Sequence, residues 1–146
     1  MVGESCVECH NPHGSENPKI LVKYFSPNFY DKYSQENYSL CSECHFLTEN
    51  IEKENNKITG FRNGDKNLHY VHVAAHPDKS RNCKVCHDPH VSDQEKFIKK
   101  LTPFGKSEAE AKYMIPIEFT KTATGGTCST GCHQTRSYDR ENPVVY

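Results

Sequence analysis

The 146-residue sequence predicts a mostly irregular fold with a few short α-helices and minimal β-strand, organised around something other than its own apolar side chains. Three observations lead there. Only 34% of the residues are hydrophobic and there is no Trp, too little for more than a thin core at this length. Residues 14–40 and 46–67 are rich in Asn, Lys, Ser and Tyr and follow neither a helical nor a strand period. All eight cysteines fall in four short motifs, which leaves none for a disulfide.

Those motifs are Cys6-Val7-Glu8-Cys9-His10, Cys41-Ser42-Glu43-Cys44-His45, Cys83-Lys84-Val85-Cys86-His87 and the one-residue-longer Cys128-Ser129-Thr130-Gly131-Cys132-His133. Two thiols separated by two or three residues can both reach the vinyl groups of one porphyrin, and the His that follows is then held beneath the iron. A CxxC pair alone also serves zinc ribbons and redox dithiols. A pair of zinc sites, however, leaves unexplained why His follows the second Cys every time. The sequence therefore implies four covalently attached haem c groups. Cys6, Cys9, Cys41, Cys44, Cys83, Cys86, Cys128 and Cys132 are the anchors, and His10, His45, His87 and His133 the proximal iron ligands. Each porphyrin offers a flat apolar surface to the eight Tyr and seven Phe, so the haems form the core and the haem-free chain is expected to be largely unfolded.

The 18 basic and 19 acidic residues nearly balance, and haem propionates would make the holoprotein more acidic than its sequence pI of 6.7. Nucleic acid is not an expected partner. No stretch reaches the length of a membrane span, and no signal peptide with an apolar central region is visible. Because haem attachment of this kind takes place outside the cytoplasm, the expected location is extracellular or periplasmic. A removed leader, or a longer parent chain, is then implied. Asn37-Tyr38-Ser39 fits a glycosylation acceptor, a match that often arises by accident.

Along the chain, Cys6 to Ser15 and Cys83 to Ser92 share the form CxxCHxPHxS, an internal duplication of about half the chain length. The expected organisation is a single tetrahaem domain over 1–146, readable as two pseudo-repeated halves of about 1–67 and 68–146. Leu68 to Ala75 reads as a short helix that stops before Pro77. Ser92-Asp93-Gln94-Glu95 has capping-box spacing ahead of Phe97, Ile98 and Leu101, with Pro103 as a stop. Ser107 to Glu110 repeats that spacing before a short helix ending near Met114. Ile115, Ile117 and Phe119 alternate as a brief strand before Gly125-Gly126. The charge run Glu52-Lys53-Glu54 reads as a solvated face.

Five His remain beyond the proximal set: His13, His69, His72, His76 and His90. Four six-coordinate irons need four of them, since Met1 and Met114 are too few for a Met-ligated set. His13 lies three residues past His10, roughly 10 Å of extended chain at most, too short to pass around a porphyrin to the other face of the same haem. It should serve a different haem, and so should His90 after His87. His69 and His72, three apart on one helix face, can address two haems. The distal set is thus His13, His69, His72 and His90, with His76 at the helix end as the spare.

The repeated CxxCHxPH, the stretch from Gly60 to Val73, and the closing Gly125-Gly126-Thr127-Cys128 to His133 with Tyr138-Asp139-Arg140 resemble the doubled-CxxCH group of multihaem c-type cytochromes, loosely cytochrome c3 or c7-like. The chain is similar in particular to tetrahaem subunits of extracellular cytochrome filaments. The resemblance implies a haem-cored cytochrome with bis-His irons in a continuous stack, little secondary structure and long-range electron transfer. It implies as partners other copies of the chain, other cytochromes or extracellular electron acceptors. In filament-forming relatives a His near the amino terminus ligates a haem of the next subunit, and His13 occupies the matching place.

Three functions follow. The leading one is an electron conduit without substrate chemistry, expected as the subunit of an extracellular filament or nanowire. A soluble periplasmic shuttle differs from it only in assembly. A multihaem reductase of a small oxyanion, an enzyme, would need one iron with an open distal position, which five His for four irons do not force.

Overall fold

The computed structural model describes residues 5–106 and 110–146. Its helices are single turns. α1 (Cys6–Cys9) ends where His10 turns extended, ahead of Pro12. α2 (Ser39–Ser42) carries Cys41, and α3 (Leu47–Ile51) buries Leu47 and Ile51. Tyr70–Ala74 form one π-helical turn inside the segment expected to be helical, closed by Ala75 N–H donating to Tyr70 O. Such wide turns occur often at functional positions.

The duplication in the sequence is also a duplication of backbone, and it runs seven residues further than the motif. In the first copy His10 N donates to Cys6 O, Asn11 N to Ile20 O and Val22 N to Cys9 O. In the second, His87 N donates to Cys83 O, Asp88 N to Phe97 O and Lys99 N to Cys86 O. Each loop closes through a 3-10 turn, Pro18–Ile20 or Glu95–Phe97. Each holds two non-Gly residues at positive φ: Lys19 and Ile20, then Lys96 and Phe97. For a β-branched Ile this conformation is a strained one, and identical placement in both copies marks it as a working part of the loop. Ser92, expected to cap a helix, instead bonds the loop closed through its hydroxyl to Ile98 O, as Ser15 does to Leu21 O.

Strand content exceeds the minimal amount expected. β1 (Arg62–Asn63) and β2 (Lys66–Asn67) form a hairpin inside a segment expected to be loop. Its turn uses Gly64 at φ +58, where a Cβ would also press on Pro143. A second sheet runs β3 (Leu101–Phe104), β4 (Tyr113–Lys121), β5 (Gly125–Thr130), β6 (His133–Asp139), all antiparallel neighbours. Pro103, expected as a stop, lies in the edge strand β3, the part of a sheet that tolerates proline. Residues 113–116 of β4 pair with β3 and residues 117–121 with β5, so Pro116 sits at the changeover. The expected alternation is visible as buried Ile115 and Ile117. The helix expected from Ser107 falls partly on residues 107–109, outside the described ones, and its proposed end at Met114 is in β4. Gly125 follows β4, as expected, and also opens β5, and a Cβ there would lie 1.8 Å from Tyr138 O.

The apolar cluster is small: Phe25, Tyr38, Leu47, Ile51 and Val73. Contacts cross the proposed midpoint of the chain, with Asn82 Nδ2 donating to Ser26 O, Phe29 packing on Phe104, and Gly64 N donating to Asp139 O. Asn37, the glycosylation candidate, spends its side-chain amide on Asp31 and Lys32 O, and Tyr38 beside it is fully buried.

Asn67 is also fully buried, and its side chain ties the hairpin to α3 and to the π-helical turn. It donates to Asn50 O at 2.8 Å and Lys53 O at 2.9 Å, and accepts from His69 N at 3.0 Å. Asn67→Ala strands those groups in a dry interior. It is expected to cost about 3 kcal/mol, read as a lower denaturant midpoint of the holoprotein with its haem content unchanged.

Candidate functional site

Three pairs of imidazoles face one another. The ring centres of His10 and His90 are 6.1 Å apart with planes 17° apart. Those of His69 and His87 are 6.5 Å and 26° apart, and those of His72 and His133 6.4 Å and 46°. Each pair joins one residue of the proximal set to one of the distal set. His90 stands opposite His10 of the first motif rather than His87 of its own, and His69 and His72 face two different partners.

The Nδ1 atoms of these rings are engaged, which matters for what the other nitrogen can do. His10 Nδ1 is 2.9 Å from Lys19 O, and His87 Nδ1 is 3.0 Å from Lys96 O, in both cases the carbonyl aimed by the left-handed turn. His72 Nδ1 is 2.7 Å from Leu68 O, and His133 Nδ1 2.6 Å from Gln134 O. A carbonyl only accepts, so each of these Nδ1 atoms carries its proton and leaves the Nε2 lone pair free. His69 Nδ1 is 3.0 Å from Thr59 Oγ1, and His90 Nδ1 is 3.8 Å from Asp88 Oδ1. Burial lowers His72 and His87 and pushes His69 down to about 4, a direction that favours the neutral imidazole, the form that binds a metal.

These separations fit an iron held between two rings. Two metal–nitrogen bonds of about 2 Å, with roughly 1 Å from each nitrogen to its ring centre, add to roughly 6 Å. The surroundings fit a porphyrin as well. Val7 lies between Cys6 and Cys9, Phe46 follows His45 with 81% of its surface exposed, and Val91 follows His90 at 69%. Apolar side chains set in this way beside the clamps are surface for a flat hydrophobic ligand to cover. A zinc sphere would need four ligands together, and among the described residues no three His, Cys, Asp or Glu are so grouped.

The clamps sit on different scaffolds. Cys6 and Cys9 bound α1, and Cys41 lies in α2. Cys83 opens a 3-10 turn whose Asn82 cap accepts from Lys84 N. The fourth clamp straddles a strand pair instead: Cys128 is in β5, Cys132 in the turn and His133 opens β6. Burial pushes Cys41 up to about 11 and Cys83 and Cys86 up to about 12.

His13, His45 and His76 are not members of these pairs, although His45 is near enough to His87 for its charge to act on that ring. All three are exposed, and among the described residues none makes a ring contact with another imidazole. His76 instead uses its carbonyl, accepting from Lys79 N and Ser80 Oγ. Sequence reasoning missed Thr59 and Phe61, the latter packed against both His69 and His72 at 5.1 and 5.7 Å. It also missed the carbonyls of Lys19 and Lys96, although these lysines occupy matching places in the two repeats.

The family described as the doubled CXXCH motif matches residues 1–48, about a third of the chain. Searches of curated proteins and of solved structures gave no match. The family match supports a multihaem c-type cytochrome with covalently bound haem c and an electron-transfer role. Attachment of haem c is typically extracytoplasmic, and among the described residues no helix is long and apolar enough to cross a membrane.

Proposed function

We propose that this chain is a tetrahaem electron carrier in which six imidazoles grip three irons within the chain, while the fourth iron is completed between chains that assemble into an extracellular filament. The single observation that carries the reading is the set of three facing imidazole pairs at 6.1 to 6.5 Å. The four cysteine pairs hold four porphyrins. His10, His87 and His133 bind one face, and His90, His69 and His72 the other. A bound haem supplies a one-electron iron couple. The chain's own residues fix the tautomer and direction of each imidazole, keep it neutral and cover the apolar rings. No side chain is assigned a role in substrate chemistry.

The second motif gives the reading its assembly. His45 is exposed and has no imidazole opposite it among the described residues, and His13 is an exposed, unused imidazole elsewhere on the same chain. His13 of one copy therefore completes the His45 site of the next, and His76 remains the spare. The soluble shuttle shares every in-chain site and lacks only this link. The same bare His45 is the one observation that favours a reductase of a small oxyanion.

Spectroscopy of assembled material with electron microscopy tests this. Wild-type filaments are expected to have all four haems low-spin. His13→Ala is expected to abolish filaments and leave one haem in four high-spin and able to bind carbon monoxide. Filaments that persist with every haem low-spin in the variant would refute the link. A high-spin quarter in wild-type filaments that binds nitrite would favour the reductase.

A further inference from the structure

We propose that Thr59 is a positioning residue that holds His69 through the weakest of the acceptors on these rings, so that the iron site between His69 and His87 is the easiest of the three in-chain sites to reduce although Thr59 itself lowers its midpoint, an inference that rests on the ligation proposed above. Thr59 Oγ1 lies 3.0 Å from His69 Nδ1, and the same oxygen accepts the Phe61 N–H at 3.1 Å. The Thr59 N–H itself reaches Asn56 Oδ1 at 3.4 Å, which holds the turn. With His69 bound to iron through Nε2, its proton is on Nδ1, so the hydroxyl oxygen accepts from two N–H groups at once.

An oxygen already engaged by a backbone N–H is a poorer acceptor than the peptide carbonyls that hold His10, His72, His87 and His133. The Asp88 carboxylate lies 3.8 Å from His90 Nδ1, beyond hydrogen-bond distance and with Oδ1 already accepting the His90 N–H, and acts on that ring through its negative charge. A strong acceptor on Nδ1 makes a ring more electron-rich and favours the ferric state of the iron it binds. His69 is then the least electron-donating of the six rings. Burial acts in the same direction. The His69 and His87 rings are largely covered, whereas the His90 side chain is 75% exposed, and a drier site disfavours the extra charge of the ferric form. The His10–His90 site, with a carbonyl on one ring and a carboxylate beside the other, is the hardest to reduce. The His72–His133 site, with two short carbonyl bonds, lies between. Phe61, edge-on to His69 at 74°, blocks the ring from swinging to another acceptor.

The test is spectroelectrochemical titration of the holoprotein carrying Thr59→Val or Thr59→Ser, with haem content and electron paramagnetic resonance recorded alongside. Thr59→Val, of equal shape without the acceptor, is expected to keep the spin states of the wild type and move one midpoint upward, while Thr59→Ser follows the wild type. Four unmoved midpoints in Thr59→Val, or an equal shift in Thr59→Ser, overturns the assignment. Asp88→Asn, on an exposed loop where the first repeat already has Asn11, gives an independent arm. It is expected to raise only the lowest midpoint, and no shift there overturns the grading. His69→Ala separates the two levels of the argument. If it leaves every iron low-spin, the ligation is wrong; if it turns one high-spin while Thr59→Val is silent, only the role of Thr59 falls.

Discussion

A variant with all eight cysteines replaced by alanine is expected to have no cooperative unfolding transition and a circular dichroism spectrum close to that of a disordered chain. The largest apolar cluster has five buried members, and its partly buried neighbours include Cys41 and Cys83, two of the clamp residues themselves. Mean hydropathy is −0.84, and many larger apolar side chains, among them Val7, Ile20, Phe46, Val91 and Phe97, are substantially exposed. Ordering a residue costs about 1 to 2 kcal/mol of backbone entropy, and so few buried side chains cannot offset that over such a length. The porphyrins must provide the missing contacts, so cofactor attachment and folding are one free-energy event. Two-state denaturation of the cysteine-free chain with native-like ellipticity would show that the polypeptide builds its own core.

Replacing His72 with alanine is expected to convert one haem in four from low-spin to high-spin, to open it to carbon monoxide and to raise its midpoint on the order of 0.1 V, within the about 0.8 V that axial ligands span. The ring's surroundings explain why nothing would take its place. His72 is held by Leu68 O, flanked by Phe61, and faces His133 at 6.4 Å. His76, the imidazole next along the chain, is exposed beyond the π-helical turn, and His76→Ala is expected to leave all four haems as they were. Absorption and magnetic resonance spectra of the two variants decide the matter. A low-spin His72→Ala protein would mean that another group reaches the iron.

All six paired imidazoles are among the eight His that the sequence singled out as ligands, and His13 and His45, the other two, are not paired in the structure. Which ring faces which was legible only in part. Chain reach separates His90 from His87, but its placement against His10 depends on how two loops from opposite ends of the repeat come together. Of the second sheet only the middle of β4 was legible, from the alternation of Ile115, Ile117 and Phe119, and the rest was hidden for a different reason. Pro103 and Pro116 argue locally against strands, and β6 is polar and almost wholly exposed, so pairing rather than a buried face sustains it. The Ser92 signal was real but misassigned, since the hydroxyl closes a loop where a helix cap was expected. Thr59 carried no signal, because a lone threonine in a polar segment gains meaning only from the imidazole folded against it.

The hairpin β1–β2 and the strand β6 are bonded to each other through Gly64 N to Asp139 O and Asp139 N to Asn63 Oδ1, and Phe61 packs on Tyr138. His72 sits in the π-helical turn five residues after the first element and His133 begins the second, so both jaws of that pair are tied to one hydrogen-bonded frame. His10 and His90 are instead carried on separate loops. Jaws that cannot drift apart change little in spacing when the charge between them changes, which keeps the reorganisation energy of electron exchange small. On the proposed ligation, the pair carried on two separate loops would reorganise more, and electron exchange would be slowest there.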